Sequence, residues 1–429
     1  MSDPISAPPL ADAPPRVGGI WRGFVRGLVG TGAAMLARAA GTLVLNKLIA
    51  VYGGPGGLTQ LAQFQNLMGL FGALPADGIQ VGATARLAPL RPSTARYRAW
   101  LGAAGVLTLS LISIAGAVLL VSNGASWGAG PVLLFTLGMA AVAMQALLST
   151  ALLAAGQRRA YVAQALVMSM LSTGAAGAAL LLHQPLPWVL GGYLAGQALA
   201  LLPTLGPAHR AGLLRGLGRR GISKVAVRGL LRFVLMALGT LLFGRAVDYA
   251  VRNYLIRNFA PASTDLWQAV ARLSDNYSLV IGAVLSTVFY PRLAALAATP
   301  AQARRYLRAV LGLLAAGLAV GLGLVFGLRD WLLPLLFAPR LLAARELLAP
   351  QLLGDWAKFL VWVFIYQLLA RARLLPYLAV QAASAALYAA LLAGLLPRLG
   401  LAGVVWAHAA RFSVLLLACG VIHLVYNKK

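Results

Sequence analysis

Twelve apolar runs dominate the sequence, near 28–51, 58–86, 99–122, 131–155, 160–182, 186–206, 231–254, 266–291, 306–327, 346–370, 374–396 and 400–426. Each is long enough to cross about 30 Å of hydrocarbon as a helix. A backbone in lipid must satisfy its own polar groups, and runs of this length do so only as helices. The expected fold is therefore an all-α polytopic membrane protein with 12 transmembrane helices. Composition agrees: 60% of the 429 residues are hydrophobic, 10% are charged, and the mean hydropathy is +0.82. That balance excludes an ordinary soluble enzyme.

The net charge of +27 would suggest nucleic acid in a soluble chain. Here loop arginines and anionic headgroups account for it. With both termini cytoplasmic, inside loops hold 24 of the 36 Lys and Arg residues and outside loops only five: Arg257, Arg329, Arg340, Arg345 and Arg398. Such asymmetry is what the positive-inside rule demands. Met1 to Arg16 carries Pro4, Pro8, Pro9, Pro14 and Pro15 with no apolar core, so it reads as a disordered tail rather than a signal peptide. Residues 328–345 read as an interfacial excursion. Cys419 stands alone, the four histidines form no Cys/His cluster, and no phosphate-binding Gly-x-x-x-x-Gly-Lys-Ser/Thr loop exists. No cofactor, metal or nucleotide is expected.

Arg38-Ala-Ala-Gly-Thr-Leu-Val44-Leu-Asn46-Lys-Leu48-Ile49 aligns without gaps on Arg245-Ala-Val-Asp-Tyr-Ala-Val251-Arg-Asn253-Tyr-Leu255-Ile256, at a constant offset of 207. The basic stretch 207–230 divides the spans six and six. The expected organisation is thus a tail and basic entry (1–27), a first six-helix lobe (28–206), a cytoplasmic linker (207–230) and a second lobe (231–429). Each copy of the motif follows an even number of spans, which implies parallel repeats with cargo held between them.

Seven cations remain inside the spans: Arg38, Lys47, Arg245, Arg252, Arg272, Lys358 and Arg411, against Asp77, Asp248, Asp275 and Asp355. Ionised groups there cost at least about 2.5 kcal/mol each and mark a pathway by default. Arg245, Asp248 and Arg252 share one helix face. The surplus of cations suits an anionic cargo, with Arg38, Arg245, Arg252, Arg272, Arg411 and Lys358 as candidate binding residues. Asp248, Asp355 and Asp275 are the candidate ion-coupling carboxylates. The competing reading is pairing within helices: Arg245 or Arg252 with Asp248, Arg272 with Asp275, and Lys358 with Asp355. Lys47, on the far side of its helix from Arg38, is expected to snorkel.

The order and spacing of several strings resemble the multidrug/oligosaccharidyl-lipid/polysaccharide (MOP) superfamily, within it the Wzx-type flippases, and among those most nearly the lipid III flippases of enterobacterial common antigen. They are Leu48-Ile-Ala-Val-Tyr-Gly-Gly-Pro-Gly-Gly-Leu58, Phe233-Val-Leu-Met-Ala-Leu238, Trp267-Gln268 with Ser274-Asp275-Asn-Tyr277, and Leu328-Arg-Asp330 with Gln351-Leu-Leu-Gly-Asp-Trp-Ala-Lys358. The resemblance implies a MATE-like fold in a bacterial inner membrane and alternating access. The cargo it implies is an undecaprenyl-diphosphate-linked oligosaccharide of a polysaccharide such as O-antigen. A polysaccharide polymerase and chain-length proteins are the implied partners. Asp77 departs from the family's small, uncharged second helix. Competing readings are a multidrug or metabolite exporter of the same superfamily, a peptidoglycan lipid II flippase, and a membrane enzyme acting on polyprenyl-linked sugars. No outside loop long enough for the enzyme's reactive groups is evident.

Overall fold

The computed structural model describes residues 39–87, 89–216, 223–296, 299–370 and 374–427, and these are helical throughout, without strands. The elements run α1 (Ala39–Tyr52), α2 (Gly57–Ala73), a π-helical segment (Leu74–Gln80), α3 (Val81–Leu87), α4 (Ala95–Trp127), α5 (Ala129–Ala154), α6 (Arg158–Leu181), α7 (Leu186–Leu199) and α8 (Leu201–Arg210). After a 3₁₀ turn come α9 (Lys224–Thr240), a second π segment (Leu241–Arg245), α10 (Ala246–Asn258), α11 (Pro261–Val284), a third π segment (Leu285–Phe289) and α12 (Tyr290–Ala295). The chain closes with α13 (Pro300–Gly327), α14 (Arg329–Leu336), a 3₁₀ helix (Pro339–Ala344), α15 (Arg345–Ala370), α16 (Leu374–Leu399) and α17 (Ala402–Asn427).

Among the described residues nine helices are long and apolar enough to cross a membrane. The other three predicted runs are helical where described but fall short of that measure. The first is described only from Ala39. The runs near 58–86 and 266–291 form the composite helices α2–α3 and α11–α12, which carry polar residues such as Gln63, Gln65 and Asn66, or Arg272, Asp275 and Asn276. Both composites are broken by π turns. In the first, Pro75 has no N–H to give the helical ladder, and the widened turn absorbs the defect.

Helix α9 starts at Lys224, earlier than the 231 expected, because the Ser223 hydroxyl accepts a hydrogen bond from Val225 N–H (3.2 Å) and caps it. Residues 328–345 form α14 and the 3₁₀ helix, as short a pair as an interfacial excursion requires. Chain direction places Trp127, Trp188, Trp331 and Trp406 at one end of the bundle, all substantially exposed, in the manner of an aromatic belt. Apolar side chains such as Val121 and Leu375 point outward from the helices, as lipid-facing residues do.

The halves meet at both ends. At the tryptophan-rich end, Ala50 and Leu58 enter a core with Ala269, Phe337, Leu341 and Phe359. At the opposite end α9 supplies Ala226, Leu230 and Val234 to a core with Leu101, Leu147 and Leu152. Close approach there depends on a small residue: a Cβ on Gly78 would lie 2.9 Å from the Val234 Cα.

Candidate functional site

A cavity of about 1350 Å³ lies between the halves. From the first half it is lined by α1, α2 and its π turn, α5 and α7; from the second by the α9–α10 composite, α11, α15, α16 and α17. The two linings differ in chemistry. Residues from the first half are uncharged, among them Thr42, Gln65, Gln80, Tyr193 and Gln197. Every charged lining residue among those described comes from the second half: Asp248, Arg252, Arg272, Asp275, Lys358 and Arg411.

Beyond one end of this cavity, polar contacts tie the halves together. Asp265, fully buried at the start of α11, accepts hydrogen bonds from Gly56 N–H (2.8 Å), Thr59 N–H (2.9 Å) and the Thr59 hydroxyl (2.8 Å). It thereby satisfies the free amides at the start of α2 from another helix, where α2 has no cap of its own. Gly56 turns there at φ 82°, and a Cβ on it would meet Pro261 at 2.8 Å, so the turn needs glycine twice over. Beside it Arg340 donates to the Ala50 carbonyl (2.8 Å) and the Gly54 carbonyl (2.8 Å). Lys47 donates to the Pro334 carbonyl (2.7 Å), so it is held by protein instead of snorkelling as expected. From Trp267 the cavity runs along α11 to Ser286, roughly 30 Å at 1.5 Å per residue, and reaches Tyr366 and Tyr377.

The predicted cations have distinct surroundings. Arg252 is buried; its Nε donates to Gln268 Oε1 (3.0 Å) and its guanidinium lies 5.4 Å from the Trp267 ring centre. Arg272 donates to Gln65 Oε1 across the halves, and its Nε has no partner. Arg411 Nε donates to Ser384 Oγ (2.7 Å), with the guanidinium over Tyr388 and Phe412. All three arginines give their hydrogen bonds to neutral groups. Lys358 alone among the cavity cations is ion-paired: its Nζ lies 2.7 Å from Asp355 and donates to Ser278 (3.0 Å). Arg38 lies outside the described residues.

Within-helix pairing therefore holds for Lys358–Asp355 and fails for the rest among the described residues. Arg245 pairs instead with Asp77, 3.0 Å away on the π segment of the other half. Asp248, three residues further along the same helix, neighbours Arg245 by spacing but forms no ion pair with it among the described residues. Arg245 is not itself a lining residue, but a Cβ on the cavity-lining Gly69 would stand 3.2 Å from its Nη1. Asp248 and Asp275 line the cavity and form no ion pair among the described residues.

Asp355 lies behind the wall, fully buried. Besides Lys358 it takes hydrogen bonds from Tyr277 and from Gln351 Nε2 (3.2 Å), and His408 Nε2 is 3.1 Å away. A carboxylate so fully surrounded satisfies the requirement that buried charge be paired and hydrogen-bonded. Sequence reasoning missed Asp265, Tyr277, Gln351 and His408. The i,i+4 spacing of Gln351 to Asp355 was a usable signal; the others are brought in by tertiary packing. Among the described residues no cluster of His, Cys, Asp and Glu could hold a metal ion.

No family model matches the chain. Curated relatives do: the lipid III flippase of Escherichia coli K12 is 27% identical over 422 residues, covering 93% of this chain and 98% of its own, and that of Shigella flexneri matches equally. Among solved structures, a Vibrio cholerae MATE transporter in its bent form superimposes with a TM-score of 0.66, covering 96% of this chain and 97% of its own at 14% identity. The lipid II flippase MurJ, in an inward closed conformation, gives 0.64 over 94% of this chain and 88% of its own at 12% identity. This chain is therefore a multi-pass membrane protein with the fold of the MATE and MurJ transporters, and it resembles the lipid III flippases along nearly its whole length.

Proposed function

We propose that this protein flips an undecaprenyl-diphosphate-linked oligosaccharide from the cytoplasmic to the periplasmic leaflet of a bacterial inner membrane. In this reading both termini are cytoplasmic, twelve helices form two parallel six-helix repeats (28–206 and 231–429), and an ion gradient drives alternating access. The observation that carries it is the trio Arg252, Arg272 and Arg411. These cavity-lining guanidiniums hydrogen-bond only to neutral groups among the described residues. Guanidinium stays charged and matches phosphate and carboxylate oxygens with paired donors, so an anionic cargo supplies the direct ion pairs that these three arginines lack among the described residues. Unaided, the diphosphate would have to cross hydrocarbon at prohibitive cost.

The Asp265 contacts lie toward the periplasm in this orientation, and the cargo's head group occupies the cavity while the polyprenyl tail stays in lipid. Arg38 and Arg245 belong to the binding surface by their repeat-related positions. Lys358 is already neutralised by Asp355 and contributes least. Of the ion-coupling candidates, Asp248 and Asp275 are open to the cavity and Asp355 is not. A polysaccharide polymerase and chain-length proteins are the partners such a role implies.

Proteoliposomes loaded with polyprenyl-diphosphate oligosaccharide test the reading: protein-dependent transfer of glycan to the other face supports it, and Arg252→Ala with Arg272→Ala should reduce that transfer at least tenfold. Asp248 and Asp275, cavity carboxylates without an ion pair among the described residues, favour a second reading, export of cationic drugs or metabolites. Uptake of an organic cation that persists in the arginine variants and fails in Asp248→Asn would select it.

A further inference from the structure

The Arg245–Asp77 pair differs in kind from the buried pair Lys358–Asp355. The side chains of Arg245 and Asp77 retain 40% and 34% of their exposure, against 12% and 0% for the other pair. Asp355 is fixed by further donors, whereas Asp77 has one described partner, a single Arg245 Nη2 donor. Arg245 has capacity left over: its Nε is without a partner, and its Nη1 lies beside Gly69, where the missing side chain leaves the guanidinium next to the cavity. Both residues sit on π-helical segments, Leu74–Gln80 and Leu241–Arg245, where the regular hydrogen-bond ladder is widened and helices accommodate shifts.

The pair also bridges the halves, joining residues 168 positions apart on the α2–α3 composite of the first half and the α9–α10 composite of the second. An ion pair this exposed is weak and easily exchanged. A doubly charged phosphate group offers guanidinium a stronger, two-pronged acceptor than one carboxylate oxygen does. We propose that Asp77 is a resident counter-ion for Arg245, displaced when the phosphate of a polyprenyl-linked cargo arrives. Displacement loads the cargo and removes a tie between the halves at the same moment, which links occupancy to the rearrangement that follows. A cargo without phosphate leaves the tie in place, so Asp77 also serves as a specificity residue. This inference rests on the reading of the cargo as a polyprenyl-linked phosphate.

The test uses purified full-length protein in nanodiscs, with polyprenyl diphosphate as the probe and equilibrium binding as the readout. Asp77→Asn should bind roughly two- to fivefold tighter than wild type, the range to which an exposed ion pair's strength converts. The gain should vanish in an Arg245→Gln background, and Arg245→Gln alone should bind more weakly than wild type. Asp330→Asn, which removes an exposed carboxylate outside the cavity, provides the comparison for a mere change of net charge and should leave binding unchanged in either background. Equal or weaker binding by Asp77→Asn, with wild type binding and Arg245→Gln impaired, overturns the counter-ion role alone. Absence of binding by folded wild-type protein overturns the cargo reading with it. Should Asp77→Asn lower thermal stability in detergent, Asp77→Ser is the alternate variant, with the same two outcomes.

Discussion

Arg272 donates a hydrogen bond to Gln65, and the two residues are 207 positions apart. The same offset superimposes Arg38–Ile49 on Arg245–Ile256. In that register Gln65 and Arg272 occupy corresponding positions, and the two touch. Nearby, Asp265 reaches Thr59 on the same pair of helices. Helices α2 and α11 therefore run side by side in the same direction, with their polar residues facing the cavity between the halves.

Because this contact crosses the halves, its strength should set how readily they separate. Gln65→Glu replaces a neutral acceptor with a charged one and is expected to raise the thermal unfolding midpoint while slowing transport. Gln65→Ala removes a hydrogen bond to a charged donor, worth about 1.5–3 kcal/mol, and should lower the midpoint. Unfolding scans and a transport assay on the same preparations check both. Faster transport by Gln65→Glu would contradict a crossing tie.

Asp265 ties the halves beyond this end of the cavity through three donors from one turn. Asp265→Ala removes both carboxylate oxygens, which accept three hydrogen bonds, and leaves the Gly56 and Thr59 amides without a partner, which costs about 1–3 kcal/mol for each buried group. Labelling of a cysteine introduced at Gln65, in a Cys419→Ala background, should become faster from the outer face in Asp265→Ala. Unchanged labelling would show that the apolar core around Phe337 and Leu341 seals this end by itself.

Removing one partner of a buried ion pair leaves an uncompensated charge, at about 3–5 kcal/mol. Lys358→Met should therefore destabilise the protein strongly. The double variant Lys358→Met/Asp355→Leu should recover part of that loss, because neither charge remains. Thermal unfolding of the single and double variants measures this. If Lys358→Met is as stable as wild type, His408 and Tyr277 suffice to hold the carboxylate.

Asp248 is a cavity carboxylate without an ion pair among the described residues, on the helix that carries Arg252. If proton movement is coupled through it, Asp248→Asn should abolish the response of transport to an imposed pH gradient while leaving cargo binding intact. A retained response would remove Asp248 from the coupling pathway and leave Asp275 as the other open candidate.

Much of this arrangement is legible along the chain, for physical reasons. Membrane-length apolar runs leave no choice but helix, and arginine is too costly in them to be incidental, so Arg252, Arg272 and Arg411 could be singled out by type alone. Partners were harder. Within-helix spacing identified Lys358 with Asp355, because three residues along a helix are neighbours in any fold. It failed for Arg245, whose partner Asp77 lies in another helix, and contacts between helices leave no mark on local periodicity. Asp265 was passed over for a related reason: at a helix start it looks like a loop residue, and only packing of α11 against α2 makes it a cap. The sequence predicts twelve spans, and the two composite helices along the cavity fall short of span hydropathy because of the polar residues they carry.

The most direct measurement is transfer of a polyprenyl-diphosphate oligosaccharide across proteoliposomes containing wild-type protein, the Arg252→Ala/Arg272→Ala variant, or no protein. Glycan should appear on the far face with wild type, at least ten times faster than with the variant and far above empty vesicles. Transfer by the folded variant at the wild-type rate would contradict the claim that these cavity arginines carry an anionic lipid-linked cargo.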